Sequence, residues 1–400
     1  MMGDILFLAH RVPYPPDRGD KIRSFHMLRH LARHGRVHLA AFADDPRDMD
    51  RPELAPFTAS RAIVRRTKSQ ALAGLQALAT GRPLSLTGFD DAGIRRAVRD
   101  VLAREDIETI FVFSSQMAQY VPAEPNARVV MDFVDMDSAK FAAYADAAKG
   151  PMRWMLVREA RLLQDYEATV AARADASLFV SEAEAGLFRR TTGAQRVHAI
   201  ENGIDTAHFD PTSDFERPEA GSQLIVFTGQ MDYRPNIEAV TWFAEEILPG
   251  VQATHPGAEF AIVGRNPSDA VKALADRDGV IVTGEVADVR GWLSAAAVVV
   301  APLKLARGIQ NKVLEAMAMA RPVVASAAAA EGIDHKGTIA VGASVADMVE
   351  AVTRLLSERE TADRLGRGAR ARVIARYGWD ARLAPLDALL GLPQNLGQAA

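Results

Sequence analysis

The feature that most constrains this chain is an alternation. Short, largely apolar runs rich in branched residues are separated by longer stretches with helical spacing. ILFLA (5–9), VHLAAF (37–42), AIVRR (62–66), TIFVF (109–113), RVVMDF (128–133) and SLFVS (177–181) read as strands. Helical patterns lie between them, near 20–33, 90–103, 152–173 and 182–191. The alternation resumes with LIVFTG (224–229), FAIVG (260–264), VIVTG (280–284), AVVVAP (297–302) and PVVAS (322–326). Strands apolar on both faces and alternating with helices imply parallel sheets covered on both sides. Two such series predict an α/β protein of two doubly wound domains, and a length of 400 residues suits that number.

The break falls in TAHFDPTSDFERPEAGS, a polar stretch with two prolines and a glycine. The expected organisation is a first domain over 1–205, a linker or hinge over 206–222 and a second domain over 223–375. A C-terminal segment over 376–400 would carry a helix with Trp379 back to the first domain and end in the frayed tail GLPQNLGQAA. Beyond about 343 the pattern is helical throughout.

Composition removes whole classes of function. There is no cysteine, so disulfides, thiolate nucleophiles and Cys-ligated metal centres are excluded. Lys plus Arg is 47 against 51 for Asp plus Glu, a net −4, which argues against nucleic acid as a partner. The longest apolar run, Leu293 to Leu303, is about half the roughly 20 residues a bilayer span needs. The N-terminus reads as a first strand, not a signal peptide, so a cytoplasmic protein is expected.

Ligands of doubly wound sheets bind beyond the carboxyl ends of the strands. The segment APLKLARGIQNKVLEAMAMARPVVAS (301–326) stands at such a place. Gly308 permits a tight turn, and a helix is predicted from about Ile309 to Met319. The unpaired N–H groups of a helix start attract anions, and Arg307 and Lys312 add positive charge. Glu315 lies three residues beyond Lys312, a neighbouring position on the helix surface. Its carboxylate can accept two hydrogen bonds from a ribose diol while the helix start holds a diphosphate. The same string also suits an amphipathic helix with a solvated Lys and Glu.

The segment resembles the signature of glycosyltransferase family 4, the retaining nucleotide-sugar transferases of GT-B fold. Further stretches carry the resemblance: Glu201-Asn202-Gly203-Ile204-Asp205, FTGQMDYRPN (227–236), VTGEVADVRGWLSAAAVVVAPL (282–303) and LFVSEAEAGLF (178–188), together with HRVPYPPDRGDKIRSFHMLRHLARHG (10–35). RVPYPPDRGDKIR, MDFVDMDSAK and ARGIQNKVLEAMA are similar to a subgroup linked to bacterial exopolysaccharide and exosortase (PEP-CTERM) systems. The resemblance implies two Rossmann-like domains facing across a cleft. It implies transfer of a sugar from a UDP- or GDP-linked donor to a glycan or polyprenyl-linked acceptor. Retention at the anomeric carbon, no metal and no cofactor come with it.

By the same resemblance Glu315 holds the ribose, and the backbone from Gly284 to Val286 lies beside the base. The helix start over Arg307, Gly308, Ile309, Gln310 and Lys312 receives the diphosphate. Gly19 would approach that diphosphate, with Lys21 or Arg23 nearby. The sequence departs from the family in four places. Arg307 stands where the first glutamate of a paired-Glu motif is usual. Gln230 and Pro235 stand at or beside the usual Arg and Lys of the second domain's first loop, so Arg234 and Arg307 are the substitute cations. Val134-Asp135 occupies the place of a histidine often found after the fifth strand. Ala320 also replaces a common glycine.

Asp135 is the first candidate for orienting the acceptor hydroxyl, and Asp20 is the second catalytic candidate, also placed to cap a helix. Asp135-Met136-Asp137, with Asp132 before it, matches a metal-binding Asp-x-Asp string. It equally suits turn and capping chemistry. His26, His30, His34 and His38 are spaced four apart, but Gly35 should end their helix and take His38 out of the row. KGPMRWMLVREAR (149–161) and the basic RAIVRRTK (61–68) suit either ordinary packing or weak contact with an anionic membrane. Two other functions fit the same fold: an epimerase of nucleotide sugars and a non-catalytic sugar-nucleotide-binding subunit.

Overall fold

The structure is a computed structural model describing residues 3–306 and 309–392. The chain divides into two compact units. One runs to Asn202 and takes the chain in again from Arg382; the other is Gly203–Ala381.

The first unit is a seven-stranded sheet: β1 (Asp4–Ala9), β2 (Val37–Ala43), β3 (Ser60–Arg65), β4 (Ile107–Phe113), β5 (Arg128–Val134), β6 (Ala176–Phe179) and β7 (Val197–Ala199). The order is β3-β2-β1-β4-β5-β6-β7, and every pairing is parallel. Its main helices are α1 (Gly19–Leu31), α2 (Gln70–Thr80), α3 (Ala92–Arg104), α4 (Asp137–Ala147), α5 (Gly150–Arg173) and α6 (Glu182–Thr192). β1, β2 and β4 are apolar and almost wholly buried because helices cover both faces.

The second unit repeats the plan with β8 (Leu224–Thr228), β9 (Glu259–Val263), β10 (Val280–Gly284), β11 (Val298–Ala301), β12 (Val323–Ser326) and β13 (Ala340–Gly342). Its order is β10-β9-β8-β11-β12-β13, again all parallel. In both sheets the order reverses once, beside the first strand. That reversal opens a crevice at the carboxyl ends of the strands. The helices used below are α7 (Arg234–Trp242), α8 (Val289–Ala295), α9 (Asn311–Ala318), α10 (Val345–Ser357) and α11 (Arg359–Tyr377). The final helix, α12, spans Trp379–Leu389.

Several expectations need adjustment. The short strands β7 and β13 and the helix α2 lack a strong periodic signal and were not anticipated. The helical stretch after 343 breaks at Glu358 between α10 and α11. Segment 206–222 is no free linker. Phe209 and Phe215 pack on the core of the second unit, and Arg370 holds Asp210 at 3.1 Å. Within that unit Ile204 pairs with Gly378, and its N–H donates to the carbonyl of Tyr377 at 2.8 Å. From Arg382 the C-terminal helix belongs with the first unit, where Arg382 pairs with Glu201 and His30 meets Asp387. Of the tail GLPQNLGQAA, 393–400 lie outside the described residues.

Candidate functional site

In the second unit a cavity of about 450 Å³ opens at the carboxyl ends of β8, β9 and β10. Its floor is backbone. The Gly229 N–H donates to the Val263 carbonyl at 3.0 Å, and the Gly264 N–H donates to the Gly284 carbonyl at 3.1 Å. Gly264 has φ +154°, and a Cβ there would lie 1.6 Å from the Gly229 oxygen. Only glycine fits such an approach. The two loops therefore close over one another, leaving room for a ligand against bare main chain.

Lys312, on α9, reaches back over this floor. Its Nζ donates to Asn236 Oδ1 at 2.5 Å and lies 4.2 Å from the centre of the Phe227 ring. Asn236, nearly buried on α7, is oriented by donating from Nδ2 to the Gln230 carbonyl at 2.8 Å. Burial pushes the Lys312 ammonium down to about 8, against the pull of Glu315. Burial pushes the Glu315 carboxyl up to about 6, against the pull of Lys312. A desolvated cation and a desolvated carboxyl one helical turn apart in a cavity are held at an electrostatic cost that a ligand relieves. Gln310 is the N-cap residue of α9, and its side chain makes no capping hydrogen bond. The Val313 N–H donates to the Gln310 carbonyl at 3.0 Å, and a helix start is by its dipole a favourable place for an anion.

Gln230, Val286, Gln310, Lys312 and Glu315 line the cavity, and Gly284 ends the strand beside it with φ +69°. Arg307 and Gly308 lie outside the described residues. Ile309 packs on the hydrophobic core, and the helix begins at Asn311, two residues later than expected.

Arg234 is a correction. It opens α7 with an 89% exposed side chain paired to Glu238 at 2.7 Å, and it does not line the cavity. Helix geometry turns it outward. Among the described residues Arg265 lines the cavity beside Lys312, and its Nη2 donates to Gln230 Oε1 at 3.4 Å. Sequence reading missed Arg265 and Asn236. A glycine followed by arginine directly after an apolar strand was the available signal for Arg265. Nothing local marks Asn236.

In the first unit, Gly19 is the first residue of α1, and a Cβ there would meet nothing within 4 Å. Asp20 does not cap the helix; Arg18 occupies that position. The Asp20 carboxylate takes a hydrogen bond from Arg11 at 2.6 Å and lies 3.3 Å from His10 Nε2. Burial opposes ionisation, yet His10 and Arg11 together hold Asp20 well below the usual carboxylate range. A carboxylate so held is a poor proton acceptor, and it links the start of α1 to His10 and Arg11 beyond β1.

Lys21 and Arg23 are both committed elsewhere. Lys21 pairs with Asp48 at 3.1 Å. Arg23 is buried against Asp132 at 2.9 Å and also donates to the Ile200 carbonyl and to Asn202.

Asp132 pairs with Arg23, while Asp135 and Asp137 share Lys140, at 2.7 and 3.6 Å. Asp137 also accepts from Ser115 at 3.2 Å. Burial raises the Asp137 carboxyl, against Lys140 and Ser115. Behind it, Glu167 accepts from the N–H and hydroxyl of Ser138, and burial carries its carboxyl up to about 7. The φ of +70° at Val134 presents Asp135 at the end of β5.

The histidine row divides. α1 stops at Leu31, before Gly35. His30 and His34 both approach Asp387 Oδ1, at 2.7 and 3.2 Å, and His38 on β2 meets Asp4 at 3.2 Å.

Residues 222–358 match a family model described as glycosyl transferases group 1. The match lies within the second unit and includes the residues that line this cavity. Alpha-maltose-1-phosphate synthase of Mycolicibacterium smegmatis is 30% identical over 246 residues, 53% of this chain and 62% of that protein. The chain thus spans less than two thirds of that relative. GDP-mannose-dependent alpha-(1-6)-phosphatidylinositol monomannoside mannosyltransferase of Mycobacterium tuberculosis is 25% identical over 72% of this chain and 77% of its own length. Among solved structures, Anabaena Alr3699/HepE in complex with UDP-glucose superposes with TM-score 0.55 at 14% identity, covering 98% of this chain and 100% of that one. The fold is GT-B, built from two Rossmann-like parallel-sheet domains.

Proposed function

We propose that this chain, whose second unit carries the match to group 1 glycosyl transferases, transfers a sugar from a nucleoside-diphosphate sugar to an acceptor hydroxyl. The observation that carries the reading is the cavity over Gly229 and Gly264, with Lys312 and Glu315 desolvated on its wall. The diphosphate sits against the start of α9 and Lys312. There, preorganised N–H groups and a cation stabilise the charge that develops on the leaving nucleoside diphosphate. Glu315 accepts the ribose hydroxyls, and Val286 with its neighbours borders the base. UDP and GDP are the donor nucleotides to test first, since one relative uses GDP-mannose by name and one solved structure holds UDP-glucose.

Asp135 is the proposed residue for orienting the acceptor. The finer reading is a retaining, metal-independent enzyme of exopolysaccharide assembly. It would act on a glycan or polyprenyl-linked acceptor from the cytoplasmic side of a membrane that it touches peripherally. Its support is the resemblance in RVPYPPDRGDKIR and ARGIQNKVLEAMA.

The test is a panel of UDP-, GDP- and ADP-sugars, with and without magnesium, read by thermal shift and then by acceptor-dependent release of nucleoside diphosphate. A ligand that binds the native state raises its melting temperature. One donor stabilising the wild type but not Glu315→Ala supports the site. Release that requires the acceptor excludes an epimerase and a binding subunit. No stabilisation by any nucleotide overturns the reading.

A further inference from the structure

We propose that the outward face of α2 and the first turns of α5, in the first unit, dock on the surface of an anionic lipid bilayer. The inference rests on the peripheral membrane contact of the proposed function, names the surface that makes it, and does not depend on the donor cavity.

α2 is built the wrong way round for a surface helix. It buries only the small Ala73 and Ala77, has no charged side chain, and turns Leu72, Leu75 and Leu78 outward, each more than half exposed. A helix that hides alanine and shows leucine has an unfilled apolar face. The start of α5 does the same with Met152, Trp154, Met155 and Val157. The two faces are joined. Arg158, one turn after Trp154 and Met155, donates from Nη2 to the carbonyl of Ala77 at 2.8 Å, beside Leu78. Glu159 then accepts from the N–H groups of Leu84 and Ser85 at 2.7 and 2.8 Å, which fixes the turn following α2. Trp154, one turn before Arg158 on the same side of α5, therefore lies next to the leucine face of α2.

Charge selects the occupant. Residues 54–89 hold five cations, Arg61, Arg65, Arg66, Lys68 and Arg82, and no carboxylate. Residues 147–158 hold Lys149, Arg153 and Arg158, again with no carboxylate. Among the described residues Arg65, Lys149 and Arg153 are exposed and make no ion pair. Protein interfaces are depleted in lysine. Leucines with a tryptophan, and Lys149 and Arg153 unpaired at the start of α5, fit lipid headgroups over an acyl boundary. No helix of the described residues is long and apolar enough to cross a membrane, so the contact lies in the plane of the interface.

The experiment is co-sedimentation of the full chain with vesicles of phosphatidylcholine alone or with 30% phosphatidylglycerol. The variants are Leu75→Ser/Leu78→Ser/Trp154→Ser and, separately, Lys149→Glu/Arg153→Glu. Circular dichroism and nucleotide-induced thermal shift confirm that each variant folds. Wild type should bind the anionic vesicles at least tenfold more tightly than the neutral ones and lose most binding in 0.5 M salt. Each variant should lose at least tenfold. Wild-type affinity for anionic vesicles in both variants overturns the proposal, as does absence of wild-type binding. A wild-type dimer that the serine variant dissociates also overturns it, because the face then serves self-association. Vesicle binding needs no donor, so failure here leaves the donor site standing, and the reverse holds too.

Discussion

The carbonyl oxygen of Gly229 stands 1.6 Å from the point where a Cβ on Gly264 would sit, so the two loops that floor the cavity interlock through main chain alone. Gly264→Ala must push the loop after β9 away from the loop after β8. The expected cost is about 2–4 kcal/mol of stability, from the clash and the forbidden backbone angle together. Nucleotide binding should be lost in whatever fraction still folds. Denaturant unfolding and calorimetric titration check both effects.

Lys312 and Glu315 should give donor affinity a bell-shaped pH dependence. Glu315 titrates near 6, and below that it carries a proton and accepts fewer hydrogen bonds from a ribose. Lys312 titrates near 8, and above that it is neutral and no longer attracts the diphosphate. Affinity should therefore peak between about 6 and 8. At pH 8, binding should take up roughly half a proton as the diphosphate recharges Lys312. Titration calorimetry in buffers of different ionisation heat measures that uptake. Lys312→Met should abolish both the alkaline limb and the uptake.

Arg234 and Arg265 should behave oppositely. Arg234 is solvated and paired with Glu238, so Arg234→Ala should leave nucleotide affinity within about twofold. Arg265 lines the cavity, and Arg265→Ala should weaken a diphosphate ligand about tenfold, the scale of one charge-assisted hydrogen bond. Nucleotide titrations of the two variants side by side decide the matter.

Ala320 sits at φ +53° just beyond α9. A non-glycine residue there is strained, and helices commonly end in glycine at this point. Ala320→Gly should stabilise the protein by about 1 kcal/mol, visible as a higher midpoint in denaturant.

The buried pair of Arg23 and Asp132 ties α1 to β5, and its guanidinium also holds the carbonyl of Ile200. Asp132→Ala leaves a cation unpaired in the interior and should cost about 3–5 kcal/mol. Arg23→Leu/Asp132→Leu together should cost less than Asp132→Ala alone. Denaturant melts of the two variants give the comparison.

Strand and helix order was legible because each periodic run is long enough to bury one face on its own. Lys312 and Glu315 were legible for the same reason, since three residues along a helix set them side by side wherever that helix packs. Arg234 was misread because proximity in sequence to the loop after β8 says nothing of which way the first turn of α7 faces. α2 carried no periodic signal, since its exposed and buried positions are both apolar.

The sequence by itself determined two parallel sheets, all their strands but β7 and β13, and the helix that carries Lys312 and Glu315, because these follow from local patterning of apolar residues. Tertiary structure alone decided that Asn236 steadies Lys312, that Gly229 and Gly264 interlock, and that Asp387 meets His30 across 357 positions. It also decided that the leucine face of α2 lies next to the tryptophan of α5. Those relationships depend on how separate elements pack in space, and no spacing along the chain encodes a distance between residues whose segments meet only after folding.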